Sequence, residues 1–164
     1  GFELQMGTNY LRHFALTGLL LDLLKQTGQS RVVNVSSIAH KTGHIDFNGL
    51  HVENRGYKKW NAYGDSKIAN LYFTYELEEK LAKKNSSIKS VAAHPAGLPK
   101  ISIGIRSFPR QFPWGALLTL YAATGQDIES RDFSGPPGFM ELRRYHRKVA
   151  SNVLSRDGKQ SKAL

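Results

Sequence analysis

The sequence predicts an α/β fold, a doubly wound parallel sheet with helices on both faces, and three observations predict it. Segments with helical period alternate with short β-branched runs as helix, strand, helix, strand, helix, the order that parallel strands joined by crossover helices require. The strand-like runs lack clean polar alternation, as strands covered on both faces do. Finally, 164 residues with 40% hydrophobic content suit one domain, residues 1–164, with a sizeable core.

The first element is a helix over residues 3–26. Met6, Tyr10, Phe14, Thr17, Leu21 and Leu24 recur at three- or four-residue intervals, a stripe with one buried face, and Gly28 is a suitable stop. Residues 31–37, Arg-Val-Val-Asn-Val-Ser-Ser, form a β-branched run that reads as a central parallel strand. Residues 38–62 carry glycines, histidines and polar residues without period, so a long loop is expected there, a candidate substrate lid. A second helix spans residues 61–84, with Ala69, Phe73, Leu77 and Leu81 four apart and Glu76/Lys80 and Glu79/Lys83 as surface pairs. Residues 88–93 read as the next strand, ending at His94-Pro95, and residues 114–124 as a short helix. After Gly125 the pattern becomes irregular, with a turn at residues 134–138.

Composition narrows the function classes. Without cysteine, disulfides and thiolate metal sites are excluded. The longest apolar stretch, residues 16–24, is well short of the ~20 residues of a membrane helix, and residues 1–4 show no secretory signal, so a cytoplasmic location is expected. The net charge of +10 is spread along the chain rather than gathered with aromatics, so no nucleic-acid partner is expected. The densest basic patch, residues 143–148, is the one place where a basic contact surface is plausible, and DNA retention falling steeply with salt would reveal it. His40, His44 and His51 share a loop but lack paired helical spacing and a carboxylate cluster, so no metal site is expected.

The sharpest chemical signal is Ala62-Tyr63-Gly64-Asp65-Ser66-Lys67-Ile68-Ala69-Asn70. Four-residue spacing on a helix puts Tyr63 and Lys67 on one face, one turn apart. A free tyrosine, with a pKa of about 10, is a poor acid or base at neutral pH. A cation near ~4 Å at an effective dielectric of about 20 contributes roughly 4 kcal/mol, about three pKa units. Ser36 and Ser37 sit at the carboxyl end of a strand, where open α/β sheets bind ligands, and a hydroxyl there can hydrogen-bond a substrate oxygen. Taken singly, Tyr-x-x-x-Lys is most often a surface pair and Ser-Ser the start of a loop.

In combination and in this order, Asn34-Val35-Ser36-Ser37 after a strand, Tyr63-x-x-x-Lys67 on a helix and a strand ending in His94-Pro95 resemble the short-chain dehydrogenase/reductase family. Finer features, Gly7-Thr8-Asn9-Tyr10-Leu11-x-His13-Phe14-Ala15-Leu16-Thr17 and Ala39-His40-x-x-Gly43-x-Ile45-x-Phe47-x-x-Leu50, are similar to its retinol-dehydrogenase-like and WW-domain-oxidoreductase-like branch. The resemblance implies a partial Rossmann-type sheet, with the amino-terminal, phosphate-binding half of the fold absent, so that the chain is expected to be a fragment. It implies an oxidoreductase that interconverts an alcohol and a carbonyl with NADP or NAD, NADP being favoured.

Carried over by residue, the resemblance makes Tyr63 the general acid/base. Lys67 lowers the pKa of Tyr63 and binds the nicotinamide ribose, and Ser37 rather than Ser36 polarises the substrate oxygen. Asn9 holds a water in a proton relay to the lysine, and Pro95 and Gly97 form the turn facing the nicotinamide. Two departures stand out: Ala96 interrupts that turn, and Arg12 replaces the family's usual glycine near the asparagine. The expected partners are a lipophilic alcohol or carbonyl substrate and a second copy in a homodimer. The alternative is a catalytically inactive, truncated dehydrogenase-like interaction module.

Overall fold

The computed structural model describes residues 2–46, 56–95, 112–135 and 147–148. Its elements run α1 (Leu4–Met6), a π-helical turn (Gly7–Leu11), α2 (Arg12–Gln26), β1 (Arg31–Val35), a 3₁₀ turn (Ile38–Thr42), α3 (Lys59–Lys83), β2 (Lys89–Ala93), α4 (Phe112–Thr124), β3 (Phe133–Gly135) and β4 (Arg147–Lys148). The strands form one sheet in the order β1-β2-β3-β4. β1 and β2 pair in parallel with Val35 opposite Ala93, β2 and β3 pair in parallel, and β4 runs antiparallel to β3.

α3 is the spine of the core. Its apolar residues recur so densely that Ile68, Ala69, Tyr72, Phe73, Leu77 and Leu81 meet Met6, Tyr10, Val32, Ile45 and Ile88 on one side. Leu71 and Tyr75 meet Ala92 and Phe133 on another. Fully burying each large side chain contributes roughly 1.5–3 kcal/mol, so this helix anchors everything packed on it. Alternation along β2 sends Val91 and Ala93 to the opposite face, against Ala122 of α4 and Ile128, so helices do cover both faces. Both expected surface pairs form, Lys80 with Glu76 at 3.4 Å and Lys83 with Glu79 at 2.6 Å. Asn85 closes α3 in the left-handed region (φ 50°), with the Ser86 N–H reaching back to the Leu81 carbonyl at 3.0 Å.

Several expectations change. The first helix is interrupted by the π-helical turn, and Phe14, expected in its buried stripe, is 49% exposed, although its ring still meets Phe73 at 5.3 Å. The left-handed residue after α2 is Gln29 (φ 59°), not Gly28. β1, expected at the centre, lies at the sheet edge among the described residues. The loop expected over 38–62 holds the 3₁₀ turn and the first residues of α3, while residues 47–55 lie outside the described residues. The irregular tail contributes β3 and β4: of the residues read as turn, Ser134 pairs with Ala93 of β2 and Gly135 with Arg147 of β4, while Lys148, like Arg147 part of the basic patch, pairs with Ser134. These strands of three and two residues are too short to carry a period.

Candidate active site

The carboxyl end of β1, the 3₁₀ turn after it and the first turns of α3 converge. The first contact is made by two glycines: a Cβ on Gly43 would lie 2.4 Å from the Gly64 carbonyl oxygen, and one on Gly64 would lie 2.9 Å from that of Ala39. Only glycine lets the turn and the helix approach this closely. The Asp65 carboxylate locks the contact by accepting the His44 N–H at 2.7 Å. The turn that begins at Ser37 is thereby pressed onto α3 beside Tyr63.

The two serines divide. The Ser36 hydroxyl is buried and donates to the Lys67 carbonyl at 2.8 Å, stitching the strand end to the helix. Ser37 is half-buried, and its hydroxyl oxygen accepts the Ala39 N–H at 3.3 Å as the N-cap of the 3₁₀ turn. The Ser37 carbonyl takes the His40 N–H at 3.0 Å and its Nδ1 at 2.6 Å, so that nitrogen bears the proton. The His40 ring is fully buried edge-on to Phe133, 5.3 Å away. His40 therefore serves the turn, and among the described residues no group of His, Cys, Asp and Glu could hold a metal ion.

Tyr63 is half-buried, and the Lys67 Nζ stands 5.5 Å from the centre of its ring. Lys67 is only 9% exposed, and burial pushes its pKa below the usual lysine value. One of its N–H groups donates to the Val35 carbonyl at 3.1 Å. Trp60, one turn before Tyr63, packs edge-on against it at 6.3 Å with 70% of its surface exposed.

Asn9 lies in the π-helical turn, a geometry that disturbs the carbonyl ladder of a helix and gathers at functional sites. Its Nδ2 is within 3.0 Å of both Gln5 Oε1 and the Ser66 hydroxyl, and Ser66 in turn donates to the Tyr63 carbonyl at 2.8 Å. Its backbone carbonyl accepts Asn70 Nδ2 at 3.0 Å and is 2.8 Å from His13 Nδ1. Arg12, the departure noted in the sequence, is exposed; its backbone N–H closes the π turn on the Gly7 carbonyl. Pro95 follows β2, half-buried, while Gly97 lies outside the described residues.

Asn9, Tyr63 and Lys67 thus share one hydrogen-bonded junction, with Ser37 beside it through Ser36 and the glycine contact. Ser66, Asn70, Gly43 and Gly64 stand inside the motifs, but the sequence alone assigns them no role. Ser66 and Asn70 flank Lys67 on the same helix, and helical spacing alone could have flagged Asn70 as facing the same strand end.

No family model matches the chain. Among curated proteins it is similar to retinol dehydrogenase 13 from Homo sapiens, 46% identical over 104 residues that cover 63% of this chain and 30% of that protein. It is similar also to human retinol dehydrogenase 11, at 41% identity over 140 residues, covering 79% of this chain and 43% of that protein. Retinol dehydrogenase 14 from Mus musculus is 44% identical over 145 residues, covering 79% of this chain and 42% of that protein. The crystal structure of an uncharacterised protein from Mycobacterium paratuberculosis superposes with a TM-score of 0.85 at 39% identity, over 99% of this chain and 56% of that one. The chain spans less than half the length of these curated relatives.

Proposed function

We propose, from the premise that this chain belongs to the retinol-dehydrogenase-like branch of the short-chain dehydrogenase/reductase family, that it carries the proton-transfer centre of an NADP- or NAD-dependent oxidoreductase interconverting a lipophilic alcohol and its carbonyl. The observation that carries this reading is the buried Lys67 ammonium beside the Tyr63 ring, held by the junction that contains Asn9 and Ser36.

In this reading Tyr63 takes the alcohol proton as the carbon–hydrogen bond is broken, and returns it when the carbonyl is reduced. The Lys67 cation stabilises the negative charge that the phenol oxygen bears between those events. The Ser37 hydroxyl donates to the substrate oxygen. A nicotinamide cofactor would accept or supply the hydride. The residues fit its ribose: an ammonium carries three N–H groups, one goes to Val35, and among the described residues two remain for a diol. Pro95, with Gly97, would border the nicotinamide. Retinol, named in the relatives, exemplifies the substrate class we propose.

A second reading, an inactive dehydrogenase-like interaction module, is favoured by one observation. Leu16, Leu19, Leu20 and Leu23 form a stripe on α2 that is 52%, 84%, 41% and 61% exposed. Alcohol-dependent reduction of NADP or NAD by this chain separates the two. Activity that falls by about 100-fold or more in Tyr63→Phe, with the fold intact by circular dichroism, supports the first. Turnover equal in both proteins sinks the assignment of Tyr63, and no turnover in either favours the module.

A further inference from the structure

Alternate residues of a strand turn their backbone groups to opposite edges, and the Ser36 N–H points at the Ala93 carbonyl in β2. The carbonyl of Val35 therefore faces the outer edge of β1, where no described strand meets it. Two side chains of α3 take it instead: Lys67 Nζ at 3.1 Å and Asn70 Nδ2 at 3.0 Å. The same Asn70 nitrogen donates to the Asn9 carbonyl at 3.0 Å. One buried carboxamide, 2% exposed, thus joins the strand end, the π-helical turn and α3. It is itself backed by Thr74, whose hydroxyl donates to the Asn70 carbonyl at 2.7 Å and accepts from Asn34 at 2.9 Å. The Asn70 Oδ1 is buried with no hydrogen-bond partner among the described residues, so the two N–H donors are what hold the group there.

We infer that Asn70 is a positioning residue for Lys67: by donating to both carbonyls, it fixes the anchor that seats the ammonium beside the Tyr63 ring. The inference rests on the reading of Lys67 as the cation of the site. Its geometric logic is a shared acceptor. Were the Asn70 donors lost, the Val35 carbonyl would lose one of the two side chains of α3 that hold it, and the Asn9 carbonyl would lose the side chain that ties the π turn to α3. The strand end and the π turn would then shift independently, and the lysine would follow the strand.

The test uses the full chain with 13C-labelled lysine, the Lys67 signal being assigned by its loss in Lys67→Arg. Near the Tyr63 ring, the Lys67 ε-methylene resonances should stand apart from those of exposed lysines. In Asn70→Leu, and in the equal-sized Asn70→Asp, that displacement should change or vanish. In Ser90→Ala, which removes a buried bond to the Thr74 carbonyl further along α3, it should persist. An unmoved Lys67 signal in either folded Asn70 variant overturns the inference, as does an equal shift in Ser90→Ala. Failure of both Asn70 variants to fold while Ser90→Ala folds also overturns it, by assigning Asn70 to the core. Because this readout needs neither cofactor nor turnover, a responsive Lys67 in an inactive protein would sink the proposed function and leave the inference standing.

Discussion

Lys67 shows how much one position is asked to do. It is a charged group at 9% exposure, and burial disfavours its ammonium form, lowering its pKa. Between the lowered folded value and the ordinary unfolded one, the unfolded chain binds the proton that the folded chain releases, so stability rises with pH through that window. Below the folded value the full cost is present; above the unfolded value it is gone. Lys67→Met is therefore expected to melt at a higher temperature than the parent at neutral pH, with the gap closing as pH climbs toward the ordinary lysine range. Thermal melts across pH check this, and a variant that is less stable at neutral pH would show that the bond to Val35 outweighs the burial cost. The pairing of Tyr63 with Lys67 is legible in the sequence because helical geometry dictates it. The separate environments of Ser36 and Ser37 are not, since only the tertiary structure shows that one hydroxyl is spent on the Lys67 carbonyl. The role of Asn70, the last residue of the Tyr63 motif, is hidden for the same reason: its two acceptors come from segments distant in the chain.

At the scale of elements, α3 was the easiest to read, since four-residue spacing extends along it and every residue of that stripe is buried. The π-helical turn around Asn9 leaves no periodic trace, because one extra residue per turn only shifts a stripe that resumes beyond it. The 3₁₀ turn after Ser37 is a single short element whose place is set by its contact with α3. That contact depends on Gly43, whose backbone is ordinary and whose missing side chain is what matters. Gly43→Ala would drive a methyl group to 2.4 Å from the Gly64 oxygen and 2.8 Å from the Ile68 Cγ2. The expected cost is about 1–3 kcal/mol, the range for overpacking, read as a lower urea midpoint with an unchanged m-value. A midpoint within error of the parent would mean that the turn is free to withdraw from the helix.

At the scale of the molecule, the described residues form a sheet that is parallel through β1, β2 and β3, with β4 antiparallel at one end and the outer edge of β1 unpaired among the described residues; an α2 stripe of exposed leucines lies near that edge in sequence. Parallel sheets are normally buried on both faces and apolar patches of this kind are normally covered. The alternation of helices and strands made the architecture legible, whereas β3 and β4, held in place by their neighbours rather than by their own pattern, were not. Whether Lys67 and Tyr63 seat a nicotinamide cofactor is read from amide and lysine resonances during titration with NADP and then NAD, which register weak binding as well as strong. Saturable shifts are expected, concentrated at Ser37, Tyr63, Lys67 and the residues around Pro95, and lost in Lys67→Met. Spectra unchanged at high cofactor concentration, or shifts confined to other parts of the molecule, would contradict that expectation.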